Sequence, residues 1–183
     1  MTRIIAGVAK GRALKVPTGA TRPTSDRVRE SIFNVLNSEF GSWSGKRVLD
    51  LFAGSGALAL EAMSRGAASA IAVDKAYSAC EIMKHNSELA KLPLTVIQKD
   101  VLKYLHSLND GKFDVVFLDP PYDVKNDVIT NILDEILVKE ILSTDAVVIV
   151  ERSARDAAFL LPDSLTLHSE RTLGETRVFV LLG

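Results

Sequence analysis

A doubly wound α/β domain with a basic N-terminal extension is the fold this sequence predicts, and three observations carry the prediction. From residue 46 onward, short strand-like runs alternate with helix-like runs. The strand runs are apolar nearly throughout rather than at every second residue, as in a parallel sheet covered on both faces. The first 29 residues differ: Arg3, Lys10, Arg12, Lys15, Arg22, Arg27 and Arg29 stand against Asp26 alone, a net +6. The chain carries −1 overall, so the remaining residues sum to −7.

In chain order, "RIIAG" and "RALKV" read as two β-leaning runs flanking "VAKG", a hairpin pattern. "VPTGATRPTSD" has the composition of a loop, and Thr24, Ser25 or Asp26 can cap the helix that follows. That helix gathers Val28, Ile32, Phe33 and Leu36 on one face. Strands are expected at "RVLDLF", "SAIAVD", "LTVIQKD", "FDVVFLD" and "AVVIVE", separated by helices at "ALALEAMSRG", "SACEIMKHNSELA", "VLKYLHSL" and "DVITNILDEILVKEIL". "SLTLHSE" and "TRVFVLL" around "RTLGE" predict a terminal antiparallel hairpin. In such a fold the ligand lies at the carboxyl ends of the strands.

Composition narrows the classes. With 183 residues, 47% hydrophobic and 25% charged, the chain reads as one soluble globular unit. No apolar run reaches the roughly 18 residues of a membrane span, and the N-terminus lacks the apolar core of a signal peptide. Cys80 stands alone, so no internal disulfide forms and a reducing, cytoplasmic setting is expected. His85, His106 and His168 are scattered and offer no metal-ligand spacing. The charge asymmetry is the footprint of a face that meets a polyanion; a solvated basic flap is the plainer alternative.

The first parallel strand runs into "VLDLFAGSGALAL", where Gly54, Gly56 and Ala59 fit the dinucleotide pattern G-x-G-x-x-G/A. A tight strand-to-helix turn alone would also explain both glycines. Asp50 argues against a dinucleotide, because a pyrophosphate on the helix N-terminus would face this carboxylate and be repelled. S-adenosylmethionine (SAM) carries an ammonium and a sulfonium instead, and Asp50 can receive the ammonium directly or through water. Asp74, 20 residues beyond Gly54, ends the second parallel strand where a carboxylate can accept ribose hydroxyls. Asp100 ends the third, within reach of an adenine amine. Each acid taken singly could be a helix cap; three at successive strand ends beside a glycine loop favour a methyl donor over a dinucleotide. The expected cofactor contacts are Asp50, Phe52, Ala53, Gly54, Gly56, Asp74, Lys75, Asp100 and Val101.

The fourth parallel strand ends in Asp119-Pro120-Pro121-Tyr122. Prolines terminate strands, which is one explanation. Beside a methyl-donor loop the same four residues form a corner for an amine-bearing base. The Asp119 carboxylate and the Pro120 carbonyl can each accept one amine hydrogen, the fixed φ of proline holds that carbonyl in place, and Tyr122 can stack on the ring. Glu151 ends the fifth strand and faces either the pocket or a surface partner. Trp43 sits in a loop where it packs or stacks.

Together, "VLDLFAGSGALALEAMSRGA", "FLDPPY" and "TRPTSDRVRESIFNVL" resemble the RsmD-type 16S rRNA guanine-N2 methyltransferases along nearly the whole chain. The glycine loop and DPPY mark only a broad class of amino-group methyltransferases, whereas "RPTSDRVRESIF" is specific to this family. The resemblance implies a class I SAM-dependent methyltransferase domain over residues 25–183. Its Rossmann-like sheet would have seven mostly parallel strands, with a β-hairpin extension over residues 1–24. It further implies methylation of the N2 amine of one guanine in 16S rRNA, within the small ribosomal subunit or its assembly intermediate; a monomer that takes no metal and meets no membrane is expected. Asp119, Pro120, Pro121 and Tyr122 would form the target corner. The arm residues Arg3, Lys10, Arg12 and Lys15 are expected to grip RNA phosphates. Arg22, Arg27 and Arg29 lie nearer the site and could contact either RNA or the SAM carboxylate, and an ion pair within the protein is an equal expectation for Arg29. A DNA adenine methyltransferase would need a separate target-recognition region, and a protein-glutamine methyltransferase usually has Asn where Asp119 stands. An RNA-binding assembly factor without activity would not need the DPPY corner.

Overall fold

A computed structural model describes residues 2–17, 25–121 and 123–183. The expectations for Arg22, Thr24 and Tyr122 lie outside the described residues.

A seven-stranded sheet forms the centre, and its strands follow the sequence pattern closely. The parallel strands are β3 (Arg47–Leu51), β4 (Ser69–Asp74), β5 (Thr95–Gln98), β6 (Phe113–Leu118) and β7 (Leu142–Ser153). The last strands, β8 (Thr166–Leu173) and β9 (Thr176–Leu182), form the expected antiparallel hairpin. The strand order is β5-β4-β3-β6-β7-β9-β8, with β9 inserted antiparallel beside β7 rather than at the edge. Winding therefore reverses between β3 and β6, and their carboxyl ends part to leave a crevice.

Side-chain alternation builds two cores. On one face Val48, Val115, Phe117, Val147 and Ile149 pack beneath α1 (Asp26–Phe40), α2 (Ala57–Ser64) and α3 (Tyr77–Ala90). On the other, Leu49, Val116, Leu118, Val148 and Val150 meet α4 (Val101–Ser107) and α5 (Asn126–Val138). Helix α1 starts where expected, with the Ser25 side chain accepting the Val28 N–H at 3.2 Å. Trp43 packs: it is buried against Phe33 and Phe40, and its indole N–H donates to Asn37 at 2.7 Å.

Several boundaries differ from expectation: β5 stops at Gln98, α2 stops at Ser64 and β8 runs on to Leu173. Helix α5 ends at Val138 rather than running to Leu142, because Glu140 takes φ +50° and breaks the ladder. Strand β7 then begins four residues before "AVVIVE", with a register shift against β6 between Phe113 and Val115. The N-terminal hairpin is also shorter than its sequence pattern, with β1 (Thr2–Arg3) and β2 (Ala13–Leu14) only two residues each. The Ile5 and Ala6 N–H groups donate to the buried Glu61 carboxylate (2.6 and 3.0 Å), and the Ala9 N–H donates to Ser64 Oγ (3.0 Å).

The hairpin is thus fastened to α2 rather than projecting from the body. Gly7 lies so close to α2 that an added Cβ would sit 1.8 Å from the Ser64 carbonyl oxygen. Its φ of +80° likewise favours glycine. Asn86 on α3 completes the attachment, accepting from the Lys15 N–H and donating to the Lys15 and Ser55 carbonyls, each at 2.9 Å. Ile4, Ala9 and Leu14 join the α1-side core. Among the described residues, no helix is long and apolar enough to cross a membrane.

Candidate active site

The crevice at the carboxyl ends of the strands is a cleft of about 620 Å³, a size suited to a small-molecule cofactor. Asp50, Phe52, Ala53, Gly54, Asp74, Lys75, Asp100, Val101, Asp119, Pro120 and Pro121 all line it. The sequence-predicted donor loop and the described part of the DPPY corner therefore share one cavity.

Its floor is built by the turn after β3. Phe52, a non-glycine residue, holds φ +68°, and Gly54 follows at φ +54°. Such left-handed backbone is costly for a phenylalanine and persists where its surroundings enforce it, commonly at functional sites. The two glycines have different duties. A Cβ on Gly54 would meet only the Phe52 carbonyl oxygen, at 4.0 Å, so its missing side chain leaves room on the cleft side. A Cβ on Gly56 would press on Met83 and Leu94 at 3.1 and 3.3 Å. Gly56, expected among the cofactor contacts, faces the core and caps α2 in the left-handed conformation instead.

The three expected acids differ in their surroundings. Asp50 is 1% exposed; its Oδ2 accepts the Ala59 N–H at 3.2 Å, while the buried Oδ1 has no partner among the described residues. Burial pushes its carboxyl well above the ordinary value of 3.8, and the charges of Asp119 and Asp74 push it further; the Ala59 bond opposes them. Asp74 is fixed from both sides, Oδ2 accepting from the Gly54 N–H and Oδ1 from the Ala76 N–H, each at 2.9 Å. One lone pair on each oxygen remains for a hydroxyl. Asp100 is the N-cap of α4, accepting the Lys103 N–H at 3.2 Å, and it lines the cleft while doing so.

Asp119 follows directly on β6, half-buried, with Pro120 buried and Pro121 exposed behind it. The Pro121 carbonyl accepts the Val124 N–H at 3.0 Å, closing a turn. Arg152 at the end of β7 braces that turn, donating to the Val124 carbonyl at 2.8 Å and pairing with Asp156 at 2.8 Å. Sequence reasoning gave Arg152 no role. A lone arginine closing an apolar strand was the available signal.

The basic residues divide. Arg3, Lys10, Arg12, Lys15 and Arg27 are exposed and lie outside the cleft lining. Arg29 is a correction to the expected RNA-facing set. It is 1% exposed, and its guanidinium donates to Thr2 Oγ1 (2.8 Å), the Arg3 carbonyl (2.7 Å) and Asp26 (2.7 Å). Desolvation lowers its pKa, opposed by the charges of Asp26, Glu61 and Glu151. Its place is at the joint between hairpin, α1 and cleft, and the alternative of an internal ion pair is the one observed. Glu61, which receives the hairpin amides and pairs with Arg65 at 2.8 Å, went unnoticed in the sequence. A single carboxylate inside the apolar run "ALALEAMS" was its signal. Among the described residues, no group of three or more His, Cys, Asp or Glu side chains is placed to hold a metal.

Comparison with known proteins gives the family. A family model described as "Conserved hypothetical protein 95" matches residues 2–182. A Bacillus subtilis protein provisionally named an rRNA methyltransferase is 38% identical, the match covering 97% of each chain. The Ribosomal RNA small subunit methyltransferase D of Escherichia coli is 34% identical over 94% of this chain and 85% of its own. The solved structure of a provisionally named E. coli methyltransferase superposes with a TM-score of 0.86 at 29% identity, covering 98% of this chain and 96% of that one. The seven-stranded sheet, the strand-end cleft and these matches agree, and the chain belongs to the RsmD family of methyltransferases.

Proposed function

We propose that this protein transfers a methyl group from SAM to the exocyclic N2 amine of one guanine in 16S rRNA of the small ribosomal subunit. One observation carries the reading: the Asp119-Pro120 corner opens into the same cleft as Asp50 and the Gly54 loop. The naming of relatives as rRNA methyltransferases supports the substrate class.

The residues present fit SAM. The partnerless buried Oδ1 of Asp50 suits an ammonium, or a water bonded to one, better than a phosphate. Asp74, already oriented by two backbone amides, would take the ribose hydroxyls, and Asp100 with Val101 would meet the adenine. When bound, SAM supplies a methyl group activated by its sulfonium, the C–S electron pair remaining on sulfur as the new C–N bond forms.

What remains for the chain is positioning and charge. The N2 lone pair of guanine is conjugated into the ring, so the amine must be held in line with the methyl carbon; full alignment is worth about 7–11 kcal/mol. Asp119 accepts one amine hydrogen and the Pro120 carbonyl the other, directing the lone pair into the cleft. The Asp119 carboxylate stabilises the positive charge that develops on nitrogen before its proton passes to that carboxylate or to water. Tyr122 stacks on the base. The exposed Arg3, Lys10, Arg12, Lys15 and Arg27 contact phosphates around it, in the cytoplasm where the small subunit resides. An unpaired guanine enters most cheaply, since a paired one must first be extruded.

Calorimetry separates the methyl donor from the dinucleotide alternative. SAM should bind the isolated protein and NAD should not; the reverse would overturn the assignment of the Gly54 loop.

A further inference from the structure

The sheet places a second buried carboxylate beside the corner. Leu118 of β6 pairs with Val150 of β7, so Asp119 and Glu151 follow as neighbours one residue further along. Alternation puts both side chains on the α1 face, the face that Phe117 and Ile149 occupy two residues earlier. Glu151 is 3% exposed and lines the cleft. Burying a carboxylate there is costly, and its charge is offset in part by that of the buried Arg29.

An ionised carboxylate accepts hydrogen bonds and donates none. This asymmetry distinguishes the three amino-bearing bases. Beside the N2 amine of guanine stands N1–H, a donor. Beside the adenine N6 amine stands N1, and beside the cytosine N4 amine stands N3, both bearing lone pairs. With the amine held at Asp119, a carboxylate on its flank attracts guanine and repels the other two.

We propose that Glu151 selects guanine by accepting its N1–H while Asp119 holds the neighbouring amine. The inference rests on the amino-group reading of the cleft and adds the base selector to it. Glu151 acts here as a specificity determinant, and a purely structural ion-pair role would leave base discrimination unmoved.

The test uses the whole protein, SAM, and small subunits reconstituted with either guanine or 2,6-diaminopurine at the methylated position. Diaminopurine keeps the reacting 2-amine but has a lone pair at N1. The unaltered protein should prefer guanine by at least ~100-fold in kcat/KM, because a site built to accept a hydrogen bond rejects a base lacking the donor. Glu151→Gln, whose amide can donate to that lone pair, should narrow the preference by tenfold or more, with thermal stability and SAM affinity measured alongside. Equal turnover of the two bases by the unaltered protein would overturn the inference without need of the variant. So would a Glu151→Gln protein that folds, binds SAM and keeps the full preference. Failure to methylate guanine at all would instead overturn the guanine reading beneath it.

Discussion

The two ends of the paired strands β3 and β6 handle an acid in opposite ways. At the amino end, the Asp114 carboxylate accepts from the Arg47 N–H at 2.8 Å, the Ser143 hydroxyl at 3.1 Å and Lys46 at 3.4 Å. Desolvation there is outweighed, first by the Arg47 bond, then by Ser143 and Lys46, and its pKa falls below the ordinary value. At the carboxyl end, Asp50 accepts one backbone bond, keeps a partnerless buried oxygen, and has its pKa raised. One end of the sheet is internally satisfied, and the other holds a buried carboxylate oxygen with no partner among the described residues. That asymmetry is the signature of a scaffold at one end and a site at the other.

Substitutions at the two ends should therefore fail differently. The largest effect is expected at Asp119: Asp119→Ala should lower methyl transfer by roughly 10²–10³-fold while SAM binding persists. Unchanged turnover would dissolve the proposed corner. Next, Asp50→Asn should weaken SAM binding by about tenfold or more, as befits loss of a charge-assisted bond worth about 1.5–3 kcal/mol. The same substitution should raise the melting temperature of the ligand-free protein near neutral pH. The folded-state pKa of Asp50 lies above its unfolded value, so the folded chain retains a proton that the unfolded chain releases above about 3.8. Its effect on stability therefore becomes increasingly unfavourable as pH rises from there through the raised pKa. A ligand-free protein equally stable with Asp or Asn at all pH values would contradict this.

Asp114→Ala should do the converse, costing about 1–3 kcal/mol of stability through stranded donors and leaving kcat unchanged in the folded fraction. Chemical denaturation followed by assay at low temperature reads both. The smallest effect is expected on the arm, where Lys10→Ala with Lys15→Ala should lower RNA affinity a fewfold and flatten its salt dependence by up to about two units of slope. Removing residues 1–16 would be a poor substitute. It would strip Glu61 of its amide donors and Arg29 of two acceptors, so that lost folding would be mistaken for lost RNA binding.

Much of this was legible in the chain because strands covered on both faces are written as unbroken apolar runs. Val48, Val116 and Val148 announce themselves, and the polar residue that ends each run marks the rim of the cleft. Asp50, Asp74, Asp100 and Asp119 could be placed there by counting alone. The illegible parts depend on contacts between distant residues. Glu61 meets Ile5 and Ala6 across 56 and 55 positions, and no local pattern states that an acid in an apolar helix is there to receive a hairpin. Arg29 sits among other arginines, and only the fold reveals that it turns inward. Gly54 and Gly56 look equivalent in the turn, yet one opens the cleft and the other seats against Met83. The end of α5 was hidden because Ile141 and Leu142 continue the helical apolar pattern, while the left-handed backbone at Glu140 leaves no mark in composition.

The most direct test supplies labelled SAM and the intact protein to small subunits lacking the modification, then digests the rRNA and identifies the labelled nucleoside. The expected product is N2-methylguanosine from a single position. Label in another nucleoside or in ribosomal protein, or no transfer by folded, SAM-binding protein, would contradict the assignment.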